Sequence, residues 1–143
     1  MTLETLLALS LTFADRAEPR FHHHAPMARE LGALILANAA SDDEAALGVV
    51  YSWREGGYST DPHLAGDCKG LPAGSRACTA DQAQHWCTYQ VEPMPATLSE
   101  CVSRWYSIIH AGINPATGGK ASSFISHARE TAAQALLTPA VQP

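Results

Sequence analysis

From Ala45 to Trp53 the chain reads AALGVVYSW, nine residues without a charge. On a helix, Ala46, Leu47, Val49, Val50, Tyr51 and Trp53 cover most of the circumference, the pattern of a helix buried on nearly all sides. Ser41 offers an N-cap just upstream, and acids follow in the first turn, where they face the positive end of the helix dipole. The spacing predicts a central helix over 43–55, with one narrow polar stripe formed by Gly48, Ser52 and Glu55. Such a segment demands a shell of other elements around it. At 143 residues the chain is long enough to build that shell as one domain without metal or disulfide support.

The flanking segments supply helices. Leu3, Leu6, Leu7 and Ala14 mark a first amphipathic helix that stops near Pro19. Pro26 suits a first helical position, and Met27, Leu31, Leu34, Ile35 and Asn38 continue at helical spacing, so residues 1–40 are expected to form a helical hairpin. Over 56–78 the helical period disappears and Gly, Pro, Asp and Ser take over, which predicts turns and a short irregular β-hairpin. Loops beyond about 12–15 residues in a compact domain are usually functional or disordered; Tyr58, His63 and the cysteines in this one point to order.

Residues 79–137 are expected to hold the C-terminal helices. Thr79-x-x-Gln82 reads as a capping box opening a short helix to Trp86, and Thr97-x-x-Glu100 as another opening a helix through Ile109. Leu98, Cys101, Val102, Trp105, Ile108 and Ile109 form the inner face of the latter, with Gly112 as terminator. A last helix over Ser123 to Leu137 would bury Phe124, Ala128, Ala132, Ala135 and Leu136. The expected fold class is mainly α, α+β at most, in a single domain over 1–143.

Composition narrows the partners. Lys plus Arg number 9 against Asp plus Glu 14, with no basic cluster, which argues against nucleic acid and against anionic membranes. No apolar run approaches the roughly 18 residues of a membrane span. The N-terminus lacks a basic region ahead of its apolar middle and reads as a helix rather than a signal peptide. Cys68, Cys78, Cys87 and Cys101 contain no CxxC pair, so zinc is not expected; two disulfides of open connectivity, or four buried thiols in a reduced cell, both fit. His22, His23 and His24 cannot all reach one ion from an ordered helix and read as an exposed turn. His63 and His85 have no assigned role, and no local motif supports a cysteine nucleophile. Neither metal nor cofactor is expected.

Glu55 is the principal chemical candidate because of where it stands. A carboxyl at the end of an apolar helix is drawn toward a desolvated site, and the helix C-terminus adds negative potential; both favour the protonated form. A protonated carboxyl is what a general acid needs to protonate a glycosidic oxygen. The plainer alternative is a fraying helix end with Glu55 in water beside Arg54. Asp61 and Asp67 in the following loop are candidate second carboxylates. An inverting hydrolase needs the pair about 6.5–9.5 Å apart, although acids beside Pro and Gly commonly serve turns. Tyr58, Trp86, Tyr89 and Tyr106 could offer faces to sugar rings, with core packing the competing role, above all for Trp86 and Trp105.

The run VVYSWREGGYSTDPHLAGD resembles the catalytic segment of the lysozyme-like superfamily, in particular its goose-type lysozyme and lytic transglycosylase branch. There a helix ends in Glu-Ser-Gly-Phe and the glutamate is the general acid; Glu55 is the matching residue. WCTYQV is similar to the family's Gly-Leu-Met-Gln segment, with Gln90 at the place of the cleft glutamine. The resemblance covers roughly Ala28 to Tyr106. It implies a lysozyme-like helical domain acting on a peptidoglycan glycan strand, with one acid/base glutamate, assistance from the substrate's N-acetyl group and an anhydro-sugar product. The chain departs from the pattern at Gly56, where the family has serine, at Cys87, where it has glycine, and at AGINPATGG, which replaces an Ala-Tyr-Asn-Ala-Gly-like motif. A non-catalytic glycan-binding or structural module is the alternative that these departures motivate.

Overall fold

In the computed structural model, residues 1–15, 25–66, 68–72, 78–79 and 81–127 are described. The chain is mainly helical: α1 (Leu3–Ala14), α2 (Arg29–Asn38), α3 (Asp42–Gly56), two short strands β1 (Ala65–Gly66) and β2 (His85–Trp86), and α4 (Leu98–His110). A further helical stretch over 121–127 begins at the place expected for the last helix, whose remainder lies outside the described residues. His22 to His24 lie outside them too.

Helix α3 is the axis of the fold. Ser41 Oγ accepts the Glu44 N–H at 3.2 Å, and Gly57 closes the helix at φ 64°, its N–H bonded to the Ser52 carbonyl. A left-handed cap is where glycine has least to lose. Every residue from Ala45 to Trp53 is buried, including Gly48 and Ser52 on the side of the polar stripe. Gly48 is the reason that side could close. The Tyr89 hydroxyl donates to the Gly48 carbonyl at 2.8 Å and the Tyr106 hydroxyl to the Glu44 carbonyl at 2.8 Å. A Cβ on Gly48 would lie 2.2 Å from the Tyr106 oxygen. A mid-helix glycine costs roughly 1 kcal/mol of propensity; here it admits two tyrosines to the core.

Around this axis, α1 and α2 form the expected hairpin against α3, and α2 also packs on α4. α1 presents Leu6, Leu7, Leu9 and Ser10 inward, and Ser10 Oγ accepts the Trp53 indole N–H at 3.0 Å. α2 starts at Arg29 with Ala28 as N-cap, so Pro26 lies in the turn before the helix rather than at its first position. α4 follows its capping box closely: Thr97 Oγ1 accepts the Glu100 N–H at 3.1 Å, while Glu100 Oε2 reaches back to the Ala96 N–H at 2.7 Å. Its inner face carries Trp105, 0 % exposed, which stacks on Tyr89 with ring centroids 4.3 Å apart and on Tyr51 at 5.2 Å.

The segment after α3 partly differs from expectation. Half of the capping box forms, with Gln82 Oε1 accepting the Thr79 N–H at 3.1 Å, but the Gln82 N–H goes to the Thr79 carbonyl and only one turn forms. His85 and Trp86 then leave as β2, antiparallel to β1 with Ala65 opposite Trp86 and Gly66 opposite His85. The pairing partner lies twenty residues upstream, so local spacing could not reveal it. Two disulfides resolve the open cysteine question, Cys68 with Cys78 and Cys87 with Cys101. The second pins the turn after β2 to α4.

Burial of the tyrosines has a measurable consequence. Burial pushes the Tyr58 hydroxyl from 10.0 up to about 12; Ser10 beside it pulls weakly the other way without closing a well-formed hydrogen bond. Tyr89 and Tyr106 are held well above the ordinary value, first by burial and second by repulsion from a neighbour, the ionised Tyr106 for Tyr89 and the Glu44 carboxylate for Tyr106. Because the unfolded tyrosines ionise near pH 10 and the folded ones above it, their contribution to stability is complete below pH 10. It is lost as pH rises from there toward the folded values, at up to about 1.4 kcal/mol per pH unit for each group. We expect one cooperative alkaline transition above pH 10, in which tyrosinate absorbance and loss of helical circular dichroism coincide. Tyrosinate forming for most of the four tyrosines while the helical signal stays native would contradict this.

Candidate functional site

Glu55 occupies the last turn of α3 and is half-buried, next to an exposed Arg54. Its carboxyl makes no hydrogen bond or ion pair among the described residues, and a half-exposed carboxyl without a partner fits both the candidate acid and the plainer helix end in water beside Arg54. What surrounds it is set by the next residue. A Cβ on Gly56 would lie 2.4 Å from Thr88 Cα and 2.6 Å from the Thr88 carbonyl oxygen. Gly56 is therefore a contact glycine at which two backbones touch, rather than a source of flexibility after the acid.

Thr88 belongs to the turn Cys87-Thr88-Tyr89-Gln90, the segment matched to the family's glutamine motif. Its hydroxyl lies 2.5 Å from Ser52 Oγ and also reaches the Ser52 carbonyl at 3.3 Å. Ser52 was noted from the sequence only as part of the polar stripe of α3, and Thr88 was not singled out; the available signal was a serine set inside a run otherwise too apolar to carry one. The turn itself uses left-handed backbone at Cys87, φ 65°, and Gln90, φ 53°. Cys87 thus adopts a backbone conformation that favours glycine, held by its bond to Cys101. Strained non-glycine residues of this kind persist only where the surrounding structure over-determines them.

Gln90 is hydrogen-bonded at one end of its carboxamide and packed against Gly66 at the other. Its Nε2 donates to the Cys87 carbonyl at 2.7 Å, while a Cβ on Gly66 in β1 would fall 1.8 Å from its Oε1. Gln90 also lines a cleft of about 160 Å³ together with Tyr51, His85, Tyr89, Glu92 and Trp105. His85 and Glu92 face each other there at 3.9 Å. Glu92 further lines a broader groove of about 620 Å³ with Lys69, Gln84 and Trp86. Trp86 is accordingly a half-exposed groove residue, whereas Trp105 packs in the core as expected. Glu55 is not among the residues that line either space.

Other candidates move. Tyr58 is 1 % exposed and stacks on Trp53 with ring centroids 5.4 Å apart and planes 8° from parallel; it is a core residue, not a wall of a cleft. Tyr106, also 1 % exposed, is corrected in the same way, since its hydroxyl is spent on α3. Tyr89 is 2 % exposed and contributes the floor of the smaller cleft rather than an open stacking face. Asp61 is a turn residue: Oδ1 accepts the His63 N–H at 2.9 Å, and its own N–H donates to Ser59 Oγ at 3.1 Å. Asp67 lies outside the described residues. Among the described residues no three His, Cys, Asp or Glu side chains gather as a metal site, and no helix is long and apolar enough to cross a membrane.

The arrangement can therefore present one unpaired carboxyl at a rigid helix end, and beside that end a clamped turn carrying a carboxamide. Compared with known proteins, the chain matches no family model, no curated protein and no solved structure.

Proposed function

We propose that the protein cleaves the β-1,4 bond between N-acetylmuramic acid and N-acetylglucosamine in peptidoglycan, with Glu55 as a single acid/base. The observation that carries this reading is the unpaired, half-buried Glu55 carboxyl at the end of α3, immediately before the Gly56–Thr88 contact that holds the Gln90 turn in place. Protonated Glu55 donates to the glycosidic oxygen as the bond to the anomeric carbon breaks, and the substrate's acetamido oxygen supports the positive charge that develops there. The resulting carboxylate then takes the proton of the sugar's own C6 hydroxyl as that oxygen closes on the anomeric carbon. No water is consumed, and an anhydro-sugar leaves. This route needs no second carboxylate, which accords with the commitment of Asp61 to a turn.

A chain with this activity would serve as a bacteriophage lysin, a virion-associated wall-penetrating protein or a secreted toxin. A second reading, a glycan-binding or structural module without catalysis, draws on the burial of Tyr58 and Tyr106 and on the absence of Glu55 from the wall of the Gln90 cleft.

Incubation with purified sacculi separates the two. Soluble muropeptides with anhydro ends are the expected product, identified by fragments one water lighter than their hydrolysed counterparts. Ordinary reducing ends would replace the transglycosylase with a hydrolase and return Asp67 as a candidate base. Sacculi left intact at every chemotype tried would favour the module.

A further inference from the structure

A disulfide exchanges with a thiol where a thiolate can reach one of its sulfurs from the side away from the other. The two bridges of this chain differ in that respect. Cys87 and Cys101 are each 0 % exposed and belong to the hydrophobic core, so a thiol meets that bond only when the core opens. Cys68 is 6 % exposed, but Cys78, its partner, is half-buried. The solvent side of the second bridge is therefore its Cys78 end. Charge acts in the same direction. Lys69, next to Cys68, is exposed, and its ammonium makes no hydrogen bond or ion pair among the described residues. A fixed cation raises the local concentration of anionic thiolates and favours a cysteine that leaves as thiolate.

The surroundings of the accessible bridge hold without it. The Lys69 N–H donates to the Gln82 carbonyl at 2.7 Å, the Gln84 N–H to the Gly66 carbonyl at 3.1 Å and the Cys87 N–H to the Leu64 carbonyl at 2.8 Å. These bonds tie the chain around Cys68 to the segment after Cys78 independently of sulfur, and none of α1 to α4 carries either cysteine. Opening this bridge removes a closure at the edge of the fold. Opening the other would release the Gln90 turn from α4 and leave two thiols in the core.

We propose that Cys68–Cys78 is an exchange site for low-molecular-weight thiols, with Cys78 as the sulfur that takes the thiol and Cys87–Cys101 as the permanent staple. An incoming thiolate, RS⁻, bonds to Cys78 Sγ as the bond to Cys68 breaks. The electron pair of that bond leaves on Cys68, which takes a proton from solvent, and Cys78 is left as a mixed disulfide. A second RS⁻ attacking the bound thiol's sulfur expels Cys78 as thiolate and forms RSSR, so the two electrons that reduce the bridge come from two thiols. Attack by the Cys68 thiolate on Cys78 Sγ reverses the first step. Lys69 lines the groove of about 620 Å³ that also holds Trp86, and with the bridge open its backbone is held by the hydrogen bond to Gln82. The groove wall thereby responds to the thiol–disulfide balance around the protein. The assignment stands whether or not the chain cleaves a glycan.

The test is incubation of the folded, whole protein with reduced glutathione at about pH 8, where part of the reagent is thiolate. Samples are trapped with excess N-ethylmaleimide at intervals, the modified cysteines are located by peptide mass spectrometry, and circular dichroism follows the helices. The expected result is opening of Cys68–Cys78 at least about 100-fold faster than Cys87–Cys101. Glutathione should be found on Cys78, maleimide on Cys68, and the helical signal should stay native. The double variant Cys68→Ser/Cys78→Ser should keep that signal and take up no glutathione under the same conditions; should it fail to express, the wild-type protein alone decides. Simultaneous opening of both bridges with loss of helix, earlier opening of Cys87–Cys101, glutathione on Cys68 instead of Cys78, or no reaction before denaturation would each overturn the assignment.

Discussion

Glu55→Gln is expected to lower muropeptide release from sacculi by roughly 10²–10⁴-fold, the usual contribution of a positioned general acid, while leaving thermal unfolding unchanged within about 0.5 kcal/mol. The two halves of this expectation have separate causes. Glutamine keeps the shape of the side chain but has no acidic proton, so protonation of the leaving oxygen must come from water. Stability should hold because the carboxyl makes no hydrogen bond or ion pair among the described residues that the substitution would break. Glu55→Asp provides a graded check: it keeps the acid but withdraws it by one methylene, so activity should fall less than in Glu55→Gln. Release of muropeptides at the wild-type rate by Glu55→Gln would remove Glu55 from catalysis.

The sequence showed its strongest elements plainly and concealed the joints between them. α3 was legible because nine uncharged residues leave a helix no exposed face, and α4 because an amphipathic stripe and a capping box agree. Both signals are local, and neither depends on what the element packs against. The turn from Cys87 to Gln90 was not legible in the same way. Its left-handed residues are not glycines, and they adopt that backbone because a disulfide to α4, the Ser52 hydroxyl and the Gly56 surface hold it from three directions. Tyr58 was misjudged for a related reason. It follows two glycines in a segment that reads as loop, but left-handed backbone at Gly57 and at Tyr58 itself, φ 60°, turns its ring back onto Trp53. For the candidate site, Glu55 stood out as a candidate from its place at the end of the apolar run. The residue that organises its surroundings, Thr88, was not, because a contact between two backbones leaves no trace in side-chain pattern except the glycine that permits it.

That glycine supplies the second large prediction: Gly56→Ala should destabilise the protein by about 3 kcal/mol or more. Two effects oppose each other. Alanine is the better helix former by up to about 1 kcal/mol, and by less at a helix end. Against this, the new Cβ would lie 2.4 Å from Thr88 Cα and 2.6 Å from its carbonyl oxygen, well inside the roughly 3.5–4.0 Å at which carbon atoms pack. Overpacking of this kind typically costs 1–3 kcal/mol when side chains can adjust. Here the obstacle is backbone, held by the Ser52 hydroxyl and one residue from the disulfide, so adjustment means moving the Gln90 turn or the end of α3. Steric repulsion wins. Because the clash involves Cα and the carbonyl, Thr88→Gly should not rescue Gly56→Ala, which separates a backbone collision from a side-chain one. Gly119→Ala, whose nearest contact is the Thr117 hydroxyl at 3.3 Å, is the control expected to stay near wild type. Denaturant unfolding of the four proteins decides the matter, and Gly56→Ala at or above wild-type stability would mean that helix propensity prevails. The same substitution should also reduce muropeptide release in whatever fraction stays folded, since it separates Glu55 from the turn that carries Gln90. In this chain, then, any side chain at position 56 meets the Thr88 backbone, and that close approach accounts for glycine there on packing grounds alone.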